Sequence, residues 1–196
     1  MELMPSALGA SRIIVALPPL DAARLVAVGE VLWQTGLRAW SVGSTTALGT
    51  LSPVFGRRAA IGVHDVIDAL GAKAAQAGGA HFVGTPYSAP FAGVGIPAVL
   101  GALSADELRG AAAAKPAAVQ IPLASSLDTA YTQLATRILG QTPLIGSGNF
   151  DIDFAADWLA HGAAGIWLRL TFDDAVNNPD LEELRVLGKF WGELAH

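Results

Sequence analysis

Short apolar segments alternate along the chain with longer segments in which apolar residues recur at helical spacing. The short segments are apolar at both odd and even positions, which is typical of strands buried on both faces. They predict eight strands, at residues 13–17, 37–42, 59–63, 80–83, 97–100, 117–121, 142–145 and 163–168. The longer segments predict helices at residues 21–35, 44–51, 65–77, 127–139, 151–160 and 181–194, a short helix after Pro86, and a helix that starts at Ser104.

Capping residues support these boundaries. Asp21 is a predicted N-cap, Ser104 and Glu107 form a capping-box pattern, and Gly36 stands where a left-handed C-cap is expected. Eight strands that each lead into a helical crossover predict an α/β fold, a single-domain (β/α)8 TIM barrel over residues 1–196. The alternative is an open doubly wound sheet. However, no G-x-G-x-x-G follows the first strand, where Pro18 and Pro19 stand instead.

Composition and charge restrict the class of partner. Of 196 residues, 52% are hydrophobic and 15% are charged, which is sufficient for one domain with a large core. A net charge of -5 and scattered basic residues argue against a nucleic-acid partner. The first apolar segment is too short for a signal core or a membrane span, and residues 1–10 contain no lysine or arginine. We therefore expect a cytoplasmic protein that does not contact membranes.

The residue types also restrict the chemistry. Cysteine is absent, which excludes disulfides, thiolate metal ligands and a cysteine nucleophile. The four histidines are widely separated and show no metal-ligand spacing, so we expect neither a metal nor another cofactor. In a barrel of this kind the reacting groups lie at the C-terminal ends of the strands, where the loops form the mouth. Candidate site residues are therefore those that end or follow each strand.

Several stretches between residues 13 and 170 resemble the 2-keto-3-deoxy-6-phosphogluconate (KDPG) and 4-hydroxy-2-oxoglutarate aldolases. They are GLRAW at 36–40, GAHF at 79–82 with TP at 85–86, GIP at 95–97 with LSADEL at 103–108, and DWLA at 157–160 with GA at 162–163. The resemblance implies a class I aldolase barrel, a carbon–carbon lyase that acts on 2-oxo acids. It also implies a homotrimer whose ligand is a small oxo acid or a phosphorylated sugar.

The resemblance places the family's Schiff-base lysine, at the end of strand six, at Gln120 of this chain. A glutamine amide cannot form an imine. The three lysines that the chain does contain are Lys73, Lys115 and Lys189. Their positions in the predicted elements put all three away from the mouth, so we expect the family's covalent chemistry to be missing.

Other charged groups of the family are also replaced. Its acid/base glutamate corresponds to Ser41, and its carboxylate-binding arginine corresponds to Thr45. Where the family has a Gly-Thr pair after strand three, this chain has His64 and Asp65, which can act as a general base and its orienting group. The favoured alternative is structural, with Asp65 as the N-cap of the third helix and His64 in the turn before it.

A glycine-rich segment follows predicted strand seven, at a position where barrels commonly bind phosphate. It consists of Gly146, Ser147, Gly148 and Asn149. The family's second phosphate segment, a glycine pair after strand eight, is replaced by bulky residues, although Arg169 can supply a charged clamp. Asp151 would repel an anion here. Phosphate binding and a purely structural turn both remain open.

Three residues follow strand four at the same mouth, namely Thr85, Pro86 and Tyr87. We assign them to substrate binding, with the alternative that the Tyr87 hydroxyl caps its loop. His81 precedes strand four at the opposite end of the barrel, which favours a structural role.

Three functions follow from these residues. The first is a diverged aldolase-family barrel that has lost Schiff-base activity and binds a small oxo acid or sugar phosphate. The second is an active lyase or isomerase in which His64 is the base and neutral side chains donate hydrogen bonds to a carbonyl. The third is a non-catalytic scaffold or interaction protein. A fold alone does not decide among them.

Overall fold

A computed structural model describes residues 11–88 and 94–195, in which eight parallel strands form a closed barrel. The strands are β1 (Ile13–Leu17), β2 (Ala39–Val42), β3 (Ala60–Val63), β4 (Phe82–Gly84), β5 (Ala98–Gly101), β6 (Ala118–Ile121), β7 (Leu144–Gly148) and β8 (Gly165–Leu168). Neighbours in sequence pair with one another, and β8 returns to β1 with Ile166 opposite Ile13. The predicted (β/α)8 barrel is confirmed.

Helices cover the outside of the barrel. They are α1 (Ala22–Gln34), α2 (Thr45–Phe55), α3 (Ala69–Ala77), α4 (Ala105–Ala113), α5 (Thr129–Leu139), α6 (Ile152–Ala160), α7 (Asp173–Asn177) and α8 (Glu182–Leu194). The predicted caps are confirmed, because Asp21 accepts a backbone hydrogen bond at the start of α1 and the capping box of Ser104 and Glu107 opens α4. Gly36 adopts the expected left-handed conformation, with φ of 92°. No helix within the described residues is long and apolar enough to cross a membrane.

Two local predictions were wrong, and a third, the short helix after Pro86, is tested only at its first residues. Asp68, not Asp65, caps α3, and Asp65 instead lies in a left-handed conformation with φ of 57°. The glycine-rich segment after residue 145 is not a turn, because β7 continues through Gly148. Residues 86–88 are not helical, and the remainder of the predicted helix after Pro86 extends into residues 89–93, outside the described residues. Residues 1–10, on which the expectation of no signal segment partly rests, also lie outside them.

The interior of the barrel is filled by side chains from alternate strand positions and by Ala164, which directly precedes β8. These residues are Ile14, Ala16, Ala39, Ala60, Phe82, Val99, Ala118, Ile145, Ala164 and Trp167. The indole of Trp167 packs edge-on against Phe82 with ring centroids 5.7 Å apart. It also requires a glycine at residue 84, because a Cβ there would lie 2.2 Å from the indole ring. The core below the mouth is therefore closed to ligands.

The same alternation selects the side chains that reach the mouth. Residues two positions after an interior residue share its side of the strand. Ser41 follows Ala39, Gln120 follows Ala118 and Ser147 follows Ile145. By the same spacing, Arg169 follows Trp167 at the end of β8. Their side chains therefore form the layer directly above the packed interior.

Candidate functional site

Two cavities open at the C-terminal ends of the strands. The larger has a volume of about 360 Å³ and is lined by Asp65, Pro86, Gln120, Pro122, Leu123, Ser125, Ser147, Gly148, Asn149, Arg169 and Leu170. The smaller has a volume of about 210 Å³ and is lined by Ala16, Leu17, Pro18, Pro19, Gly43, His64, Arg169, Leu170 and Asp173. Ligand pockets in proteins measure about 300–1,000 Å³, so the larger cavity suits a small metabolite and the smaller one a still smaller molecule.

An ion pair spans the mouth, and its arginine lines both cavities. The Arg169 guanidinium donates to the Asp65 carboxylate at 2.6 Å, joining the end of β8 to the end of β3. The guanidinium also lies 5.7 Å from the Trp167 ring centroid. The Arg169 side chain is 24% exposed and that of Asp65 56%, so the pair is partly in contact with water. Ion pairs at such positions contribute about 0–1 kcal/mol, and a ligand anion can compete for the arginine.

Gln120 forms the floor of the larger cavity. It is 4% exposed, and its Nε2 donates a hydrogen bond of 2.7 Å to the backbone carbonyl of Thr85. This bond fixes the amide while the side chain still lines the cavity. The position that the resemblance gives to the nucleophile thus carries an anchored, neutral group.

The three lysines lie away from both cavities. Lys73 is on α3, Lys115 precedes β6 at the opposite end of the barrel, and Lys189 is on α8. All three are exposed, and none lines either cavity. Their predicted placement is confirmed, so the mouth contains no lysine amine.

The end of β7 forms one wall of the larger cavity. Ser147 is buried and lines it, together with Gly148 and Asn149. The Asn149 backbone N–H donates to the hydroxyl of Ser125 at 3.2 Å, and a Cβ on Gly148 would lie 2.6 Å from that hydroxyl. Because this amide already has a partner, it is not free to cradle an anion as a glycine turn would. Phosphate binding here stays a prediction.

Ser41 and His64 form a hydrogen-bonded pair beside the smaller cavity. The Ser41 hydroxyl accepts a bond of 2.9 Å from the Trp167 indole N–H and lies 3.0 Å from Nδ1 of His64. Burial, assisted by the charge of Arg169 and opposed by that of Asp65, lowers the pKa of His64 from 6.5 to about 4. His64 is therefore a neutral imidazole at pH 7. It lines a different cavity from Gln120.

Other predicted residues are used for structure. Thr45 is exposed at the start of α2 and lines neither cavity. The Thr85 hydroxyl donates to the carbonyl of Tyr87 at 2.7 Å, and the Tyr87 hydroxyl donates to the carbonyl of Ile67 at 2.8 Å. These two side chains hold loops, whereas Pro86 does line the larger cavity. His81 accepts a hydrogen bond of 3.1 Å from the Ile61 backbone N–H below the barrel, as its position suggested.

The sequence did not indicate several residues of the mouth. Leu123 and Leu170 form an apolar rim and are 70% and 62% exposed. Ser125 lies in an unpredicted single turn at Ala124–Ser126, and Asp173 begins the unpredicted helix α7. These positions depend on loop conformations that carry no periodic signal. Within the described residues, no three histidine, aspartate or glutamate side chains lie close enough together to hold a metal ion.

Comparison with known structures places this fold among aldolase barrels. KDPG aldolase from Legionella pneumophila, with pyruvate captured as a covalent carbinolamine intermediate, superposes with a TM-score of 0.84 at 16% identity over 97% of both chains. KDPG aldolase from Zymomonas mobilis with 3-phosphoglycerate gives 0.79 at 15% identity over 95% of this chain and 93% of that one. A cube-shaped protein cage designed by fusing symmetric oligomeric domains gives 0.82 at 18% identity over 96% of this chain and 70% of that one.

Sequence comparisons add nothing to this result. No protein-family profile matches the chain, and no curated protein matches it in sequence. At identities of 15–18% the structural likeness establishes the fold and leaves the activity open.

Proposed function

We propose that this chain is a diverged member of the KDPG aldolase family that binds a small 2-oxo acid without forming a Schiff base. The observation that carries the proposal is the anchored amide of Gln120 in the larger cavity, at the residue to which the sequence resemblance assigns the family's lysine. Imine formation needs an amine in contact with the substrate carbonyl. All three lysines are exposed elsewhere on the barrel, so a ligand in this cavity meets no lysine amine.

The lining of the larger cavity suits a small acid. Its apolar rim of Leu123 and Leu170, together with Pro86 and Pro122, can enclose a short carbon chain. The Ser147 hydroxyl and the second N–H of Gln120 can donate to a carbonyl oxygen. Arg169 supplies the one positive charge in the lining, and it can exchange its partly exposed partner Asp65 for a ligand carboxylate.

The two other functions are less well supported. An active lyase with His64 as base requires that residue beside the carbonyl, whereas it lines the smaller cavity and is bonded to Ser41. A pure scaffold would not require the polar lining of the larger cavity. The scaffold function would be favoured if no acid binds.

Borohydride trapping tests the covalent part. Incubation with pyruvate and borohydride should add no mass to the wild-type protein at any lysine. The matched variant Gln120→Lys puts an amine into the cavity, and we expect it to give one adduct at residue 120. An adduct on Lys73, Lys115 or Lys189 in the folded wild-type protein would refute the proposal.

Calorimetric titration with pyruvate tests binding. Arg169→Met should weaken pyruvate binding by about tenfold or more, because hydrogen bonds to charged groups contribute about 1.5–3 kcal/mol. Arg137→Met, at an exposed arginine on α5, removes the same charge away from the mouth and serves as the control. Equal affinity in the two variants would contradict the site. Absence of binding across a panel of 2-oxo acids and sugar phosphates would favour the scaffold.

We also propose a homotrimer located in the cytoplasm. The likeness to a cage built from symmetric oligomeric domains supports an oligomer. Ile67 and Leu70 expose 63% and 76% of their surface beside α3, which gives the barrel an apolar area that a neighbouring subunit can cover. Light scattering coupled to gel filtration measures the mass directly, and a monomer at micromolar concentration would refute the trimer.

A further inference from the structure

The smaller cavity is a separate compartment of the mouth. Its walls come from the loop after β1 with Pro18 and Pro19, from Gly43 after β2, and from His64 after β3. Arg169, which forms the ion pair with Asp65, lines both this cavity and the larger one. Neither Gln120 nor Ser147 lines it, and it shares only Arg169 and Leu170 with the proposed oxo acid site.

Hydrogen bonding fixes which nitrogen of His64 carries the proton. Ser41 is fully buried, and its oxygen already accepts the indole N–H of Trp167, a group that can only donate. Among the described residues, the acceptor for the Ser41 hydroxyl proton is Nδ1 of His64, which lies 3.0 Å from the hydroxyl oxygen. The opposite tautomer would leave that hydroxyl proton unpaired, at a cost of about 1–3 kcal/mol. Nδ1 is therefore the acceptor, and Nε2 carries the hydrogen.

The Nε2–H group faces open space because residue 43 is glycine. A Cβ at this position would lie 3.3 Å from Nε2, in the place that a ligand atom can occupy. Gly43 does not have a positive φ, so its backbone conformation does not itself require glycine. The cavity thus presents a hydrogen-bond donor held at a fixed position.

Charge in the cavity favours a neutral ligand. Arg169 and Asp65 neutralise each other. Asp173 adds an acidic group whose pKa is raised by burial and by Asp174, and its buried Oδ1 has no hydrogen-bond partner within the described residues. A ligand anion would lie unfavourably close to this carboxyl group. A neutral ligand can instead donate a hydrogen bond to it from a hydroxyl group and accept one from His64 at a carbonyl oxygen.

We propose that the smaller cavity binds a small neutral compound with neighbouring carbonyl and hydroxyl oxygens, one of which accepts a hydrogen bond from Nε2–H of His64. Hydroxyacetone is a probe of this class, and glycolate is its charged counterpart. The imidazole is here a neutral donor that polarises an oxygen, not a base that removes a proton.

Long-range ¹H–¹⁵N correlation spectra of the protein with labelled histidine test both parts. They distinguish protonated from unprotonated ring nitrogens, and the His64 signals are identified by their loss in His64→Asn. At pH 7 we expect the Nε2-protonated tautomer. Hydroxyacetone should shift the Nε2 signal saturably and bind at least tenfold more tightly than glycolate.

Gly43→Ala is the decisive variant, because the added methyl group fills the space beside Nε2. It should retain the tautomer and weaken hydroxyacetone binding at least tenfold. Gly49→Ala is the control, since a Cβ at this glycine of α2 meets no atom within 4 Å. A proton on Nδ1, tighter binding of glycolate, or unchanged hydroxyacetone binding by Gly43→Ala would each overturn the proposal. Pyruvate binding in the larger cavity is measured separately, so the two proposals can fail independently.

Discussion

Replacing His64 by asparagine is expected to remove a large part of the acid sensitivity of the folded barrel. The asparagine amide can still meet the Ser41 hydroxyl, because its side chain places a polar atom close to the position of Nδ1. It cannot take up a proton between pH 4 and pH 7. The two proteins therefore differ mainly in one titrating group.

The magnitude follows from the pKa of His64, which folding lowers from 6.5 to about 4. Between these values the unfolded chain binds a proton that the folded protein excludes, so stability falls as the pH is lowered. The contribution of His64 is complete above about pH 6.5 and is lost progressively as the pH falls to about 4. At about 1.4 kcal/mol per pH unit, the loss amounts to about 3 kcal/mol.

Urea denaturation at several pH values between 7 and 4 measures this difference. The charged groups around His64, namely Asp65, Arg169 and Asp173, are present in both proteins, so the comparison isolates the contribution of His64. We expect the wild-type protein to lose about 3 kcal/mol more than His64→Asn over this range. Parallel stability curves for the two proteins would refute a buried, neutral His64.

Three further changes test the packing, the mouth and the helix caps. Gly84→Ala should destabilise the barrel by about 1–3 kcal/mol or more in urea denaturation, since its Cβ would lie 2.2 Å from the Trp167 ring; a neutral effect would show that the indole can move. Arg169→Met should lower the free energy of unfolding by less than about 1 kcal/mol, as its ion pair is partly exposed, and a larger loss would mean that the pair is structural. Asp151→Ala should cost about 1 kcal/mol of thermal stability, because the carboxylate accepts the Phe154 N–H at 2.8 Å; no change in melting temperature would contradict its capping role.

Much of the fold could be predicted because it depends on local pattern. Strands buried on both faces read as continuous apolar segments, and caps such as Asp21 and Ser104 mark where helices begin. The wrong predictions concern residue types that occur in more than one structural context. Gly146 and Gly148 suggested a turn, but they belong to β7. Asp65 was predicted to cap α3 in place of Asp68, because both aspartates precede the same helical pattern.

The site could be predicted only in part. Gln120, Ser147 and Arg169 follow from strand order, because the end of each strand must face the mouth. The ion pair across the mouth could not be predicted, since it is a contact between Arg169 and Asp65, 104 residues apart. The same limit applies to His64, whose neutral state results from burial beside Ser41 and Trp167.

Closure of the sheet affects how readily the chain aggregates while it is being synthesised. A completed barrel has no free strand edge onto which another molecule can add, and this protects a chain that is 52% hydrophobic from aggregation. The last pairing, however, joins β1 to β8 across more than three quarters of the sequence. Until β8 emerges and docks, both outer strands offer unpaired amides and carbonyls. We therefore expect chains that end before β8 to aggregate, whereas the complete barrel stays dispersed.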